Sequence, residues 1–297
     1  MRTYVQDSCV GLSTPLIHER SFLLPGNGLA LIFFWASSCG YSIKLIPILN
    51  ALWDTYHERG LHILGIHSPE FKFEKAPSYL DSLSQNLNIH WPNVNDLTND
   101  FNNRYGNLYT PRILLAMPNK KIFYDQIGLG ELKELENTLR RALNIKSAAR
   151  YAFNDREMYN LTHPHYPTSY PIHFNHECLM YSNVSLNGEW QTTADSTVHA
   201  RDNQAGEDYL SLSTPAQAIN FLMEQPQGNR LILTLNGKPV PEAFHGRDVT
   251  NQSNQTNVYV HKPRFYELIR APKYFSGYEL KLFPTEKNFK IYTVAFS

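Results

Sequence analysis

The sequence predicts an α/β domain, with a central sheet flanked by helices, followed by an all-β sandwich. A strand–helix–strand pattern opens the chain, short strand-like segments fill its second half, and a proline-rich stretch lies between them. The chain has 297 residues, about twice the usual length of one domain, so each part can bury its own core. We place the α/β domain at 1–146, a linker at 147–175 and the sandwich at 176–297.

The α/β domain begins with a buried strand. Residues 29–35 form a continuous apolar run between glycine and small polar residues, which is typical of a strand covered on both faces. Apolar positions then recur at helical spacing from Ile43 to Tyr56, and 61–67 is a second buried strand. A helix over 78–88, strands over 112–118 and 121–128, and a helix over 131–143 complete the predicted domain.

The second half alternates short strand-like segments with turns that contain Gly, Pro, Asn and Gln. Such an alternation without helical periodicity is typical of an antiparallel sandwich. The predicted strands are 184–191, 209–214, 218–224, 230–237, 264–270, 278–284 and 289–297.

Charge and hydropathy argue against several function classes. The 27 basic and 27 acidic side chains cancel, so no overall field attracts a nucleic acid or an anionic membrane surface. The longest apolar run is far shorter than the ~20 residues that span a bilayer, and the N-terminus lacks the pattern of a secretory signal. Three widely spaced cysteines, Cys9, Cys39 and Cys178, do not form a disulfide scaffold. We therefore expect no nucleic-acid partner and no membrane span.

Cys39 lies where the first strand meets the following helix. Free backbone N–H groups and the positive end of the helix dipole favour a thiolate at such a position, and therefore a reactive nucleophile. A buried, inert cysteine at the start of a helix is the alternative interpretation. The segment from Trp35 to Ser42, WASSCGYS, contains Cys39 and is followed by Pro47.

This segment resembles the active site of the thioredoxin superfamily, in which a Trp lies four residues before the first cysteine of a CxxC motif and a proline interrupts the next helix. Trp35, Cys39 and Pro47 match these positions. The resemblance implies a thioredoxin-like fold, a Trp35 that shapes the floor of the site, and a cis proline beside Cys39. Pro111, within YGNLYTPRILL, is the candidate for that proline.

Longer segments are similar to the DipZ/TlpA-type thiol:disulfide interchange proteins, namely GIHSPEFKFEKAP (65–77), YGNLYTP (105–111) and GLGELKELENTLRRAL (128–143). The second half resembles the carbohydrate-binding-module-like jelly roll that follows the thioredoxin-like domain in that group, through LNGEW (186–190), RLILTLNGKPV (230–240), GRDV (246–249) and the YTVAFS ending. The resemblance implies a bacterial redox protein of the periplasm or cell surface. The missing signal leaves a cytoplasmic setting open.

Ser42 departs from the family pattern, because it stands where dithiol members have their resolving cysteine and makes the motif CxxS. A serine hydroxyl cannot exchange with a disulfide, so Cys39 alone cannot complete a dithiol cycle. Phe33 likewise replaces the buried aspartate that serves the second cysteine in thioredoxin. Two origins stay open: an engineered Cys→Ser trap, or a natural monothiol form that glutathione or another small thiol resolves. We interpret Cys9 and Cys178 as structural or incidental.

Two rival thiol chemistries fit the sequence less well. Cys39-Gly-Tyr-Ser42 is one aromatic change from the CGFS motif of monothiol glutaredoxins, which hold an iron–sulfur cluster, but Trp35 and the DipZ-like segments favour the other branch. A peroxiredoxin-type peroxidase, of the AhpC/TSA class, would need Thr and Pro where Ala36 and Ile32 stand.

Histidines outside this motif are interpreted as structural. The linker region contains metal-capable side chains, but their spacing matches no firm zinc or copper template; they are His163, His165, His173, His176 and Cys178. His67, at the end of the second strand, is interpreted as a satisfied residue of the core or its rim. We expect no metal and no cofactor.

The leading hypothesis is a thiol:disulfide oxidoreductase that uses Cys39 as nucleophile on client proteins with thiols or disulfides. The alternative is a non-catalytic thioredoxin-fold binding protein whose sandwich binds a glycan or a protein. Aromatic residues of the sandwich could stack on sugar rings, although such residues are more often core and cross-strand pairs; they are Trp190, Tyr259, Phe265, Tyr266 and Tyr274. The reactivity of Cys39 discriminates between the two hypotheses.

Overall fold

The computed structural model describes residues 28–146, 172–173, 184–203 and 206–296. The chain divides into two compact units, residues 1–163 and 164–297. The predicted boundaries at 146 and 176 border segments outside the described residues and stay predictions.

A five-stranded sheet forms the centre of the first unit, in the order β3-β2-β1-β4-β5. Its strands are β1 (Leu29–Trp35), β2 (Leu61–His67), β3 (Asn93–Asn95), β4 (Arg112–Ala116) and β5 (Ile122–Ile127). The helices are α1 (Gly40–Tyr56), α2 (Tyr79–Asn86), α3 (Asp100–Arg104) and α4 (Leu132–Ala142). The α/β prediction is therefore confirmed; the short, polar β3 was not predicted because its Asn-Val-Asn sequence lacks an apolar run.

Both faces of β1 are buried, as its apolar run predicts. Leu31 and Phe33 point to the side that holds α1 and α4, whereas Ile32 and Phe34 pack on the opposite side, next to Phe101 of α3. Strands β1, β2 and β3 are parallel, and β4 runs antiparallel to β1. The carboxyl ends of the first three strands and the amino end of β4 therefore meet at one edge of the sheet.

The second unit contains two sheets, and every strand pairing in them is antiparallel. Its strands are β6 (Ile172–His173), β7 (Val184–Asn187), β8 (Trp190–Thr192), β9 (Thr197–His199), β10 (Tyr209–Leu212), β11 (Ala216–Glu224), β12 (Asn229–Leu235), β13 (Val249–Gln252), β14 (Gln255–Val260), β15 (Arg264–Phe275), β16 (Leu280–Pro284) and β17 (Lys290–Phe296). One sheet has the order β13-β14-β12-β16-β10-β7, and the other has the order β15-β11-β17-β9-β8 with β6 paired to β17. A single hydrophobic cluster joins side chains of both sheets, such as Phe221 and Leu231, so the unit is a sandwich.

The predicted strand 184–191 is wrong as a single element. It splits at Gly188 into β7 and β8, which enter different sheets. Gly188 has φ +94°, and a Cβ at this position would lie 2.1 Å from the carboxyl carbon of Asp208. The break therefore depends on a residue that is distant in sequence, which a local pattern does not reveal.

Candidate functional site

Cys39 occupies the edge of the sheet where β1 ends. It is the N-cap residue of α1 with extended backbone angles, and its carbonyl oxygen accepts the N–H of Ile43 at 3.1 Å. Its own N–H donates to the carbonyl of Ala36 at 3.1 Å, which closes a tight turn. The thiol is half-buried. Strand, turn and helix together hold it at the rim of the unit.

The loop before β4 brings a second element to this thiol. The Thr110–Pro111 peptide bond is cis, and Sγ of Cys39 lies 3.6 Å from the carbonyl oxygen of Thr110. The carbonyl of Pro111 accepts the N–H of Gly128 at 2.8 Å, which ties the loop to the end of β5. The structure thus places Pro111 beside Cys39, and its role in exchange stays a prediction.

Ser42 lies one helical turn after Cys39 and is completely buried. Its Oγ accepts the N–H of Ala36 at 3.3 Å, so the hydroxyl supports the turn that precedes the thiol. Cys39 is the cysteine found among the described residues; Cys9 and Cys178 lie outside them. The described part of the site is therefore a monothiol.

Trp35 supports the site from within the core rather than from the surface. It has no exposed surface, and its indole N–H donates to Oδ1 of Asn93 at 3.1 Å. The ring stacks on Phe33 with 6.2 Å between centroids and meets His67 edge-on at 4.8 Å. Its neighbours on β2 and β3 thus fix the orientation of the indole.

Sequence reasoning missed a buried polar cluster beside the Cys39 turn. Glu74 has no exposed surface; it accepts a hydrogen bond from the Ser37 hydroxyl through Oε1, and from the N–H groups of Glu70 and Phe71 through Oε2 at 2.6 and 2.8 Å. The only sequence signal for this residue is an acidic side chain directly after Phe73 in PEFKFEK.

His67 faces this carboxyl group and is also completely buried. Its Nε2 accepts the N–H of Ser37 at 3.3 Å, which leaves Nδ1 to donate to Oδ1 of Asn95 at 3.0 Å. Nε2 lies 4.0 Å from Oε1 of Glu74. Both ring nitrogens are therefore satisfied by neutral groups.

Burial shifts the two pKa values in opposite directions. Loss of hydration raises the pKa of Glu74 to about 7, although hydrogen bonds from Ser37 and Phe71 favour the carboxylate. It lowers the pKa of His67 to about 4. Burial also raises the pKa of Tyr79, whose hydroxyl donates to Oγ of Ser37 at 3.1 Å. The lowered pKa favours the neutral imidazole of His67, and the raised pKa favours the protonated carboxyl group of Glu74.

Exposed apolar side chains surround the same edge of the sheet. Among the described residues, four of the five exposed large hydrophobic side chains are Leu97, Leu108, Tyr109 and Ile127. Leu97 follows β3, Leu108 and Tyr109 precede β4, and Ile127 ends β5. Strand directions place all four positions at the edge that holds Cys39.

The aromatic residues singled out in the sandwich do not form one exposed surface. Tyr266 lies in the core, with the guanidinium of Arg264 3.8 Å from its ring centroid. Trp190 packs against that core and donates to the carbonyl of Asn187 at 2.8 Å. Tyr259 is 63% exposed; Phe265 and Tyr274 are half-buried.

Metal-capable clusters are not found within the described residues. The linker side chains considered above fall outside them, and for His173 only the strand backbone is described. Of the helices that the structure describes, none combines the length and hydropathy required to cross a membrane.

Comparison with known proteins found one matching family model and several relatives that match part of the chain. A family model described as "Thioredoxin like C-terminal domain" matches residues 147–297. Protein DipZ of Mycobacterium tuberculosis is 32% identical over 114 residues, which are 38% of this chain and 16% of DipZ. Thiol-disulfide oxidoreductase YkuV of Bacillus subtilis is 24% identical over 120 residues, which are 40% of this chain and 80% of YkuV. The chain thus matches about a sixth of the length of DipZ.

Solved structures also match part of the chain. StoA from Bacillus subtilis has 16% identity and a TM-score of 0.34, and the match covers 37% of this chain and 81% of StoA. A secreted Mycobacterium tuberculosis disulfide oxidoreductase homologous to E. coli DsbE has 17% identity and a TM-score of 0.34, with 40% and 84% covered. Because the family model accounts for just over half of the residues, the chain belongs to the family described as thioredoxin like C-terminal domain.

Proposed function

We propose that the protein exchanges thiols and disulfides with client proteins through Cys39. The observation that carries this proposal is the half-buried thiol at the start of α1, 3.6 Å from the carbonyl of the residue before cis-Pro111. Backbone N–H groups at a helix start favour a thiolate, which is the attacking species in disulfide exchange. The similarity to DipZ and YkuV supports the same chemistry.

In the proposed reaction the Cys39 thiolate attacks one sulfur of a client disulfide. A Cys39–client S–S bond forms, the client's own S–S bond breaks, and its second sulfur leaves as a thiolate that takes a proton from water. The Ser42 hydroxyl cannot attack this mixed disulfide. The thiolate of a small thiol such as glutathione therefore attacks the Cys39 sulfur, so the client leaves as a thiolate and a Cys39–glutathione disulfide forms. A second glutathione thiolate attacks that disulfide, which yields oxidised glutathione and restores the Cys39 thiolate. The scheme applies whether Ser42 is natural or replaces a cysteine.

We infer that the preferred clients are extended segments with apolar side chains beside their cysteine. An extended peptide can pair with the backbone of the loop before Pro111 while its sulfur meets Cys39. Exposed Leu108 and Tyr109 belong to that loop, and Leu97 and Ile127 lie at the same edge. Burial of such surfaces supplies affinity without a fixed sequence requirement.

The second unit is proposed as an accessory domain of jelly-roll type. Strands β10, β11 and β12 alternate between the two sheets, as do β14, β15, β16 and β17, which supports that topology. We propose an extracytoplasmic setting, where disulfides in client proteins persist. The dispersed aromatic residues favour no sugar site, so a protein partner is the better candidate for this unit.

The test uses the full chain and a disulfide-containing client such as oxidised insulin. We expect a mixed disulfide that non-reducing electrophoresis separates and peptide mapping assigns to Cys39. Cys39→Ser should abolish it, whereas Ser42→Ala, which keeps the site a monothiol, should retain it.

Ser42→Cys is the matched gain-of-function variant. The side chain at this position is buried one turn from Cys39, as a resolving thiol requires, so the variant should release the client and reduce insulin catalytically with dithiothreitol. A Cys39 that reacts no faster than Cys9 and Cys178 and forms no mixed disulfide would overturn the proposal in favour of the non-catalytic binding protein.

A further inference from the structure

Two glutamates hold the segment that leads into Cys39. The Ser37 hydroxyl donates to Oε1 of Glu74, and the Ser38 hydroxyl donates to Oε2 of Glu70. Ser37 and Ser38 are 4% and 1% exposed, so water does not compete for these bonds. The position of the Cys39 turn therefore depends directly on the 70–74 segment.

The hydrogen bonds around Ser37 have a defined direction. Because Oγ of Ser37 accepts from the Tyr79 hydroxyl at 3.1 Å, its own proton is left for Glu74. The backbone N–H of Ser37 donates to Nε2 of His67, so no proton of that ring points at Glu74. Every described polar partner of the Glu74 carboxyl thus donates to it, and none of them is a cation at neutral pH.

The titratable groups that face Glu74 come from three elements. His67 belongs to β2, Tyr79 to α2 and Glu70 to the same segment as Glu74. Burial, and to a smaller extent the negative charge of Glu70, favours the protonated acid, whereas the donors from Ser37 and the backbone favour the carboxylate. These opposing effects bring the pKa of Glu74 to about 7, so its proton exchanges near neutral pH.

We propose that Glu74 is a positioning residue for Cys39 whose protonation state changes the reactivity of the thiol. The proposal rests on the proposed function, since it concerns the exchange reaction of Cys39. When Glu74 loses its proton, a negative charge lies in the low-dielectric interior beside Ser37, two residues before Cys39. This charge disfavours a second negative charge on the Cys39 sulfur. When Glu74 is protonated, this repulsion is absent and the thiolate is the better populated nucleophile.

The experiment measures the second-order rate of alkylation of Cys39 by iodoacetamide in the full chain, from about pH 5.5 to about pH 9. Peptide mass spectrometry reads Cys39 separately, with Cys9 and Cys178 as internal comparators. Glu74→Gln keeps the shape of the side chain: its amide oxygen can accept from the two backbone N–H groups, and its amide nitrogen can donate to Ser37. We expect the ratio of variant to wild-type rate to be near one in acid, to rise to about threefold where Glu74 is ionised and Cys39 is only partly ionised, and to return to one where the thiol is fully ionised in both proteins.

Glu136→Gln is the matched control. Glu136 is also completely buried and accepts a hydrogen bond from a tyrosine, Tyr56, but it lies on α4 away from the Cys39 turn. Its rate ratio should not depend on pH. A ratio for Glu74→Gln that is equally independent of pH, with a reactive wild-type Cys39, overturns the inference about Glu74 alone. An unreactive wild-type Cys39 overturns the proposed function.

A second variant tests the inference if Glu74→Gln does not fold. Ser37→Ala removes a donor that favours the Glu74 carboxylate, so the pKa of Glu74 should rise further. The plot of the Cys39 alkylation rate against pH should deviate from the curve of a single ionising thiol, and in this variant the deviation should occur at higher pH than in the wild type. A deviation at the same pH as in the wild type contradicts the proposed link through Ser37.

Discussion

At the residue scale, His67 and Glu74 form a buried pair whose members are both neutral over a range of pH. Nε2 and Oε1 lie 4.0 Å apart, and both side chains are fully buried. The imidazole keeps its neutral form down to about pH 4 and the carboxyl keeps its proton up to about pH 7. The first unit therefore contains this pair without burying two opposite charges, which would be costly to dehydrate.

These pKa values predict how each residue makes stability depend on pH. The unfolded histidine binds a proton below 6.5 and the folded one only near 4, so the contribution of His67 falls as pH drops through that range. The unfolded glutamate loses its proton near 4.5 and the folded one near 7, so the contribution of Glu74 falls as pH rises through that range. In the wild type the two slopes oppose each other.

Single substitutions should separate these slopes. In Glu74→Gln only His67 of the pair still titrates, so the free energy of unfolding should rise by on the order of 2 kcal/mol from pH 4.5 to pH 6.5. In His67→Gln only Glu74 titrates, so the free energy of unfolding should fall as the pH rises. Urea unfolding followed by tryptophan fluorescence suits this test, because Trp35, Trp53 and Trp91 lie in the first unit. If both variants keep the slope of the wild type, the pair does not titrate as described.

At the element scale, the GRDV segment shows how the sandwich holds a loop against a strand. Gly246 donates its N–H to the carbonyl of Leu268 on β15. Asp248 accepts the N–H of Glu267 at 2.9 Å and a guanidinium N–H of Arg264 at 2.7 Å. Through these hydrogen bonds, the GRDV segment fastens the start of β13 to β15.

Gly246→Ala should destabilise the second unit. A Cβ at this position would lie 2.0 Å from the carbonyl oxygen of Glu267, a backbone atom that no side-chain rotation can move away. Overpacking of this kind costs typically about 1–3 kcal/mol. The measurement is the free energy of unfolding of this unit, followed by the fluorescence of Trp190.

Gly237→Ala is a useful contrast for the same measurement. Gly237 has φ +73° but open space around its Cα, so the substitution carries only the backbone penalty of about 1 kcal/mol. A loss for Gly246→Ala no larger than that for Gly237→Ala would show that the β15 contact relaxes.

At the scale of the whole molecule, each unit has its own hydrophobic core. The core clusters of the first unit contain residues from Leu29 to Ile145, and that of the sandwich contains residues from Val184 to Phe296. Each unit therefore satisfies the main requirement for folding by itself.

Expressed separately, residues 1–163 and 164–297 should both fold cooperatively. Circular dichroism should show a mixed α/β spectrum for the first fragment and a β spectrum for the second. The alkylation rate of Cys39 in the first fragment should match that of the full chain within about twofold. A first fragment that does not fold, or that loses the reactivity of Cys39, would show that the site needs the second unit.

Local sequence patterns were sufficient to predict several secondary-structure elements. The apolar runs at 29–35 and 61–67 coincide with β1 and β2, because a strand buried on both faces requires continuous hydrophobicity. The position of Cys39 at the start of α1 also follows from the change between strand and helical periodicity. Short polar strands such as β3, β9 and β13 escaped prediction, since pairing with neighbours rather than composition makes them strands.

By itself, the sequence determined the two-part organisation, the strand–turn–helix that holds Cys39, and the presence of a serine at position 42. Only the tertiary structure decided that Ser37, His67 and Glu74 share one buried cluster, because parallel pairing of β1 with β2 brings residues far apart in the chain to one edge of the sheet. It also decided that the pKa of Glu74 is raised to about 7, since the main cause is burial by neighbours. Residue type and spacing encode local geometry, whereas exclusion of water depends on what packs around a group.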